Sequence, residues 1–131
     1  MDCLSLFAMA AALTGENGFD PESEPIRRRA PALITAAAVS LHELDCAYRI
    51  GVLGEPLPDA GLPLPEIREL SDPLPVCDRL APALACCVAA LLVRDENREL
   101  SDSLSADFTA LCAGIARSIP ASVERIREIY A

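Results

Sequence analysis

Lysine and tryptophan are absent from this chain, histidine occurs once, and aromatic residues make up only 4% of it. Each shortage closes off a class of reading. All 11 basic residues are arginine, against 20 acidic ones, and the net charge is −9. A chain with that balance has no basic face for neutralising phosphates, which argues against nucleic-acid binding, and it is not attracted to anionic membrane surfaces. The lack of lysine reads as GC-rich coding rather than function. With so few aromatics, the 52% hydrophobic content is mainly Ala, Leu, Ile and Val. Such residues let helices approach closely but contribute little buried area each, so burial against a partner is expected to add to a modest monomer core.

Long apolar runs are also missing. The longest without proline is Ala83 to Val93, eleven residues, too short to cross a bilayer. The start, Met1-Asp2-Cys3, carries an acidic residue before its apolar stretch, which is not the pattern of a secretory signal. Six cysteines are present but no C-x-x-C pair. Cys3, Cys46, Cys77, Cys86, Cys87 and Cys112 lie in or beside apolar helical stretches, where a free thiol behaves as a small hydrophobe. A reducing cytoplasm is the expected setting.

What is there reads as one all-α domain, residues 1–120, followed by a C-terminal tail, 121–131. Four helices in a compact bundle follow from period and punctuation. The first spans about Cys3 to Leu13 and stops at Thr14-Gly15, glycine being the usual helix terminator. An acidic stretch, Glu16 to Pro25, follows. In the second, Ile26, Ala30, Leu33, Ala37, Leu41, Leu44 and Tyr48 step by three or four, one stripe of an amphipathic helix. Pro31 predicts either a kink or a true start near that residue.

Residues 51–75 hold six prolines and three glycines, a density that excludes a regular helix. This loop is long for a helix–helix connection. It also carries Leu53, Leu57, Leu62, Leu64, Ile67 and Leu70, so part of it is expected to pack. The third helix, about Val76 to Val93, is apolar on nearly every side and is expected to be central. Leu84, Cys87, Val88 and Leu91 are its expected buried residues, between the second and fourth helices. Arg94 to Arg98 make a polar corner. The fourth helix shows Leu104, Phe108, Leu111, Ile115 and Ile119 and ends before Pro120. Ala30-Pro31-Ala32-Leu33 recurs as Ala81-Pro82-Ala83-Leu84; in a chain so rich in alanine and proline, coincidence explains the echo.

Catalytic and metal motifs are scarce. His42 and Cys46 lie four apart on one helix face, a ligand spacing used by zinc-binding anti-sigma domains in an H-x-x-x-C-x-x-C helix. Here Arg49 stands at the last position, removing a ligand and adding a positive charge, so no metal and no other cofactor is expected. Cys86 and Cys87 are adjacent and point in different directions. No serine or cysteine nucleophile has His42 beside it in a hydrolase motif, and there is no glycine-rich phosphate loop. The acidic residues sit at helix ends and in loops, where capping and solvation explain them. An enzyme is not expected. The one basic cluster, Arg27-Arg28-Arg29, follows Asp20, Glu22 and Glu24, and pairs with them or forms a solvated face.

Beyond Pro120, Val123, Ile126 and Tyr130 fall on one face of a helix at i, i+3 and i+7, with Ile129 beside them. Eleven residues do not hold a helix alone in water. The tail therefore needs a surface to dock on, in its own domain or in a partner chain. Strand addition to a partner's sheet edge is the other route.

The order of these elements resembles a known pattern. Ile67-Arg68-Glu69-Leu70-Ser71-Asp72-Pro73-Leu74-Pro75 fits an I-x-x-L-x-D-x-L-P loop. A buried Ala/Leu helix to Val93, the corner Asp95-Glu96, a final helix and Ile126-Arg127-Glu128-Ile129-Tyr130 follow it. Together with Arg29 to Ile34, the arrangement is similar to small head–tail connector or adaptor (neck) proteins of tailed bacteriophages and prophages. Those usually carry an aromatic in the third helix, where this chain has Cys86-Cys87. The resemblance implies a non-catalytic helical subunit that forms a ring beneath a portal protein. It would bind that portal, other neck proteins and copies of itself, in the bacterial cytoplasm during assembly and then in the virion neck. It also implies that the C-terminal segment reaches into a neighbouring chain. Val123, Ile126, Ile129, Tyr130 and Arg27, Arg28, Arg29 are the partner-binding candidates. The alternative is a bacterial helical regulatory or adaptor module that binds one protein partner through an acidic face.

Overall fold

The computed structural model describes residues 1–15, 18–56, 61 and 63–120. Four helices make up its regular structure: α1 (Cys3–Thr14), α2 (Glu24–Gly51), α3 (Ala81–Val93) and α4 (Arg98–Arg117), with a 3-10 turn at Asp78–Leu80 leading into α3. The all-α, four-helix expectation holds. Helix α3 is the centre, packed against α1, α2 and α4, as its all-round apolar sequence requires.

Helix α1 begins where the Asp2 side chain accepts the Ser5 N–H at 2.8 Å, an N-cap that satisfies one otherwise orphaned donor. It ends at Gly15, whose φ of +63° and ψ of −149° suit only glycine without strain. Gly18 is fixed for a different reason: a Cβ there would collide with the Thr14 side chain. The inward face of α1 is Cys3, Leu6, Phe7 and Ala10, all essentially inaccessible to water. Phe7 also stacks on Phe19, with ring centroids 5.3 Å apart.

Helix α2 starts earlier than Pro31 and passes through it. Pro25 sits in its first turn, where a missing N–H costs nothing, and Pro31 lies inside. The helix survives that interruption because Ala30 and Ile34 are both fully buried on either side of it. In addition, the Thr35 hydroxyl donates to the Pro31 carbonyl at 2.9 Å. The same hydroxyl accepts the Ile67 N–H at 2.8 Å, tying the long loop to the middle of α2.

That loop packs in its second half, as its leucines suggested. Ile67 and Val76 are buried, and Leu70 and Leu74 pack against the core. Asp72 accepts the N–H groups of Arg68 and Glu69, and these bonds hold its carboxyl below its usual pKa. The backbone beyond it runs beside the chain start. Cys3 N–H donates to the Asp72 carbonyl at 2.9 Å, and Leu74 N–H to the Met1 carbonyl at 3.1 Å. Ahead of that packed stretch, Leu53 and Leu64 are exposed.

Two boundaries differ from the sequence reading. Helix α3 starts at Ala81, not Val76, because residues 76–80 serve as an anchored approach and a 3-10 turn. Helix α4 starts at Arg98, capped by the Asn97 side chain on the Leu100 N–H, and finishes at Arg117. Of the expected core residues, Leu84 and Val88 are completely buried, whereas Cys87 and Leu91 are half-buried. Both line a cleft between α3 and α4, and Cys87 also hydrogen-bonds Ser40 of α2. A buried serine closes the α3–α4 corner: the Ser101 hydroxyl donates to the Ala90 carbonyl at 2.9 Å.

Candidate interaction surface

The Arg27–Arg29 cluster occupies the first turns of α2. Arg27 approaches Glu22 at 3.7 Å and Arg28 approaches Glu24 at 3.7 Å, both on the surface. This is the local pairing the sequence suggested, and pairs so exposed contribute at most about 1 kcal/mol. Arg29 is exposed as well, so the cluster presents cationic charge at the edge of an otherwise acidic protein. The tail candidates Val123, Ile126, Ile129 and Tyr130 lie outside the described residues.

His42 and Cys46 do meet, with the thiol sulfur 3.7 Å from the ring Nε2. No group of three or more His, Cys, Asp or Glu that could hold a metal occurs among the described residues. Arg49, which stands where a third ligand would be, is engaged elsewhere: its Nε donates to Asp45 at 2.9 Å and its Nη1 lies 3.6 Å from Glu55. Cys46 is a poor thiolate, since burial and the neighbouring Asp45 push its pKa up. All six cysteines are free and none is activated. Burial, with smaller contributions from Asp72 and Asp2, raises Cys3 to about 11; burial and the Asp45 carboxylate raise Cys77 to about 12.

Asp45 is the functional-looking residue that sequence reasoning passed over. It is only 4% exposed, and its carboxylate accepts both the Cys77 N–H at 2.8 Å and the Arg49 guanidinium. Its role is a joint, holding the end of α2 to the approach of α3. Spacing of four from Arg49 was the available signal, but an exposed i, i+4 ion pair gives the same pattern.

The surface carries two further features. Helix α1 contains no charged residue, and its outward side includes Leu4, Ala8, Ala12 and Leu13, with Met1 beside it. Between α3 and α4 lies a cleft of about 120 Å³, lined chiefly by Cys87, Leu91, Arg94, Ser105 and Phe108. That is well below the ~300 Å³ at which small-molecule sites begin. It has room for a protein side chain. The corner beyond it is acidic, with Asp95, Glu96, Glu99 and Asp102 all exposed.

Within the described residues no helix is long and apolar enough to cross a membrane. Comparison with protein-family models, with curated proteins and with solved structures gives no match to this chain.

Proposed function

We propose that this chain is a non-catalytic assembly subunit of a phage or prophage virion, of the head–tail connector or adaptor type, binding a portal-like protein and neighbouring copies of itself. The observation that supports it best concerns the loop that carries the sequence resemblance. Ile67, Asp72 and Leu74 each make specific contacts there, to Thr35, to the Arg68 and Glu69 amides and Cys3, and to Met1. The shared pattern therefore falls on residues that set the architecture, as expected if the likeness is one of fold. The exposed apolar side of α1, the cationic Arg27–Arg29 edge and the tail residues Val123, Ile126, Ile129 and Tyr130 are the surfaces offered to partners.

Light scattering on the eluting protein tests the proposal, first alone and then with the portal-like protein from a neighbouring gene. The expected result is a small species alone and a multi-copy complex on mixing. Deleting residues 121–131 is expected to abolish that complex while the melting temperature is kept. A second reading, a host regulatory module, draws on the exposed acidic corner Asp95, Glu96, Glu99 and Asp102. A one-to-one complex with a cytoplasmic protein, and no portal or capsid gene nearby, would favour it.

A further inference from the structure

The most exposed large apolar side chain among the described residues is Leu64, at 67%, in the loop between α2 and α3. Pro63 and Pro65 flank it. Each proline fixes its own φ at about −65°, and Pro65 also keeps Leu64 extended, so the leucine is held out as a stiff knob. Glu66 lies two residues on, 3.5 Å from Arg68, and both of these side chains are largely exposed. An ion pair so well solvated exchanges partners at little cost.

The cleft between α3 and α4 is the matching hole. Leu91, Phe108 and the thiol of Cys87 give it an apolar lining around about 120 Å³ of space. An apolar cavity of about 150 Å³ admits a benzene ring, so this one admits the isobutyl group of a leucine. On its rim stands the exposed Arg94, which makes no ion pair with any described residue. The occupant should therefore bring one apolar side chain with a carboxylate close by, and Leu64 with Glu66 is that combination.

Knob and hole do not meet within one chain. The loop is tied to α2 three residues after Leu64, where the Ile67 N–H donates to the Thr35 hydroxyl. The cleft is tied to α2 through Cys87, whose thiol hydrogen-bonds Ser40. Thr35 and Ser40 are five residues apart on one helix, which separates them by about 140° around its axis. Loop and cleft therefore lie on opposite sides of α2, and the occupant has to come from a second copy.

We infer that copies of this chain associate head to tail, with Leu64 of one seated on Leu91 and Phe108 of the next and Glu66 beside Arg94. Such a contact joins two different surfaces, so every copy keeps a free knob or a free hole for a further neighbour, and the series closes where the rotation per copy allows a ring. The inference deepens the assembly reading by naming the surfaces through which neighbouring copies meet. One leucine and its flanks bury far less than the ~800 Å² per partner of a stable complex. The contact is therefore weak between two free subunits and gains strength when several are held side by side on a larger partner.

Sedimentation velocity of the full-length chain, from micromolar to millimolar protein, tests it. The average mass should rise above the 13.9 kDa of one chain as concentration increases. Leu64→Asp removes the knob and Ser105→Trp blocks the mouth of the hole, both at exposed positions, so each variant should keep the wild-type melting temperature and stay at one chain. An equimolar mixture of the two should associate again but stop at pairs, because only one working knob and one working hole remain. Arg94→Glu in the wild-type background should weaken association roughly tenfold, and adding Glu66→Arg should recover it. A wild-type chain that stays single at millimolar protein would overturn the inference, as would Leu64→Asp, Ser105→Trp or Arg94→Glu associating like wild type. A mixture of Leu64→Asp and Ser105→Trp that stays single would overturn it too, since the contact would then be one shared surface. Failure of these tests leaves binding to a portal-like protein untouched, and failure to bind that protein leaves the contact between copies untouched.

Discussion

The Asp45 carboxylate and the Cys77 backbone N–H are 2.8 Å apart although 32 residues separate them in sequence. This single acceptor spans the whole proline-rich loop and fixes the entry to the central helix. Asp45 is buried and also holds Arg49. Asp45→Ala leaves the Cys77 amide without its acceptor and Arg49 with only the more distant Glu55, and is expected to cost about 2–3 kcal/mol, measured by urea unfolding. Asp45→Asn keeps an acceptor for one of them and should cost less. Equal stability of Asp45→Ala and wild type would show that the joint contributes nothing.

Leu84 has no accessible surface and lies on the face of α3 that meets the core. Leu84→Asp places an unpaired charge there, at a cost of several kcal/mol, about as much as a domain this size has to lose. The far-ultraviolet helical signal and the cooperative melt should both disappear. Helices that melt at the wild-type temperature in this variant would contradict the central position of α3.

Alkaline pH should destabilise the protein earlier than its charge alone suggests. Burial raises Cys3 to about 11 and Cys77 to about 12, from an unfolded value near 9. A group whose folded pKa is raised contributes stability that is complete below pH 9 and lost as pH rises toward the folded values. Stability followed from pH 8 to 11 should therefore fall, and Cys3→Ala should flatten part of that fall. A slope unchanged in Cys3→Ala would remove Cys3 from the account.

Metal content is a further check. His42 and Cys46 touch, but with Arg49 paired to Asp45 and Glu55 no third ligand completes the helix face. Protein purified without chelator is expected to contain far less than one zinc per chain by elemental analysis. A stoichiometric zinc lost in His42→Ala would contradict this.

How much of this was legible in the sequence varies by element. The four helices follow from apolar steps of three and four, and α1's end follows from Gly15. The central place of α3 follows from its lack of a polar side. Helix α4's first turn was hidden because Leu100, one step before Leu104, is surrounded by Arg98, Glu99, Ser101 and Asp102, although Asn97 is a plain N-cap. Pro31 left two readings open, a kink or a later start, and the later start is excluded because α2 begins at Glu24 and runs through it. Cys87 and Leu91 were expected to be fully buried, yet the cleft is a property of how helices diverge, which no periodicity encodes. Arg27 and Arg28 paired as their acidic neighbours suggested. The joints at Asp45 and Thr35 were not legible, because each depends on a backbone group thirty-two residues away.

The pairing of the chain start with the loop at Asp72–Leu74 has a consequence during synthesis. Helix α1 has no charge of its own, and apart from Phe19, which stacks on Phe7, the Asp72 carbonyl and all of α3 that its inner face packs against are made about seventy residues later. At about 5–20 residues per second, that interval lasts roughly 4–14 s. For that time Leu6 and Ala10 are apolar surface without the α3 cover they have in the finished fold. The nascent chain is thus a substrate for chaperones that recognise short hydrophobic segments, and its yield in cells should depend on them more strongly than the stability of the finished fold implies.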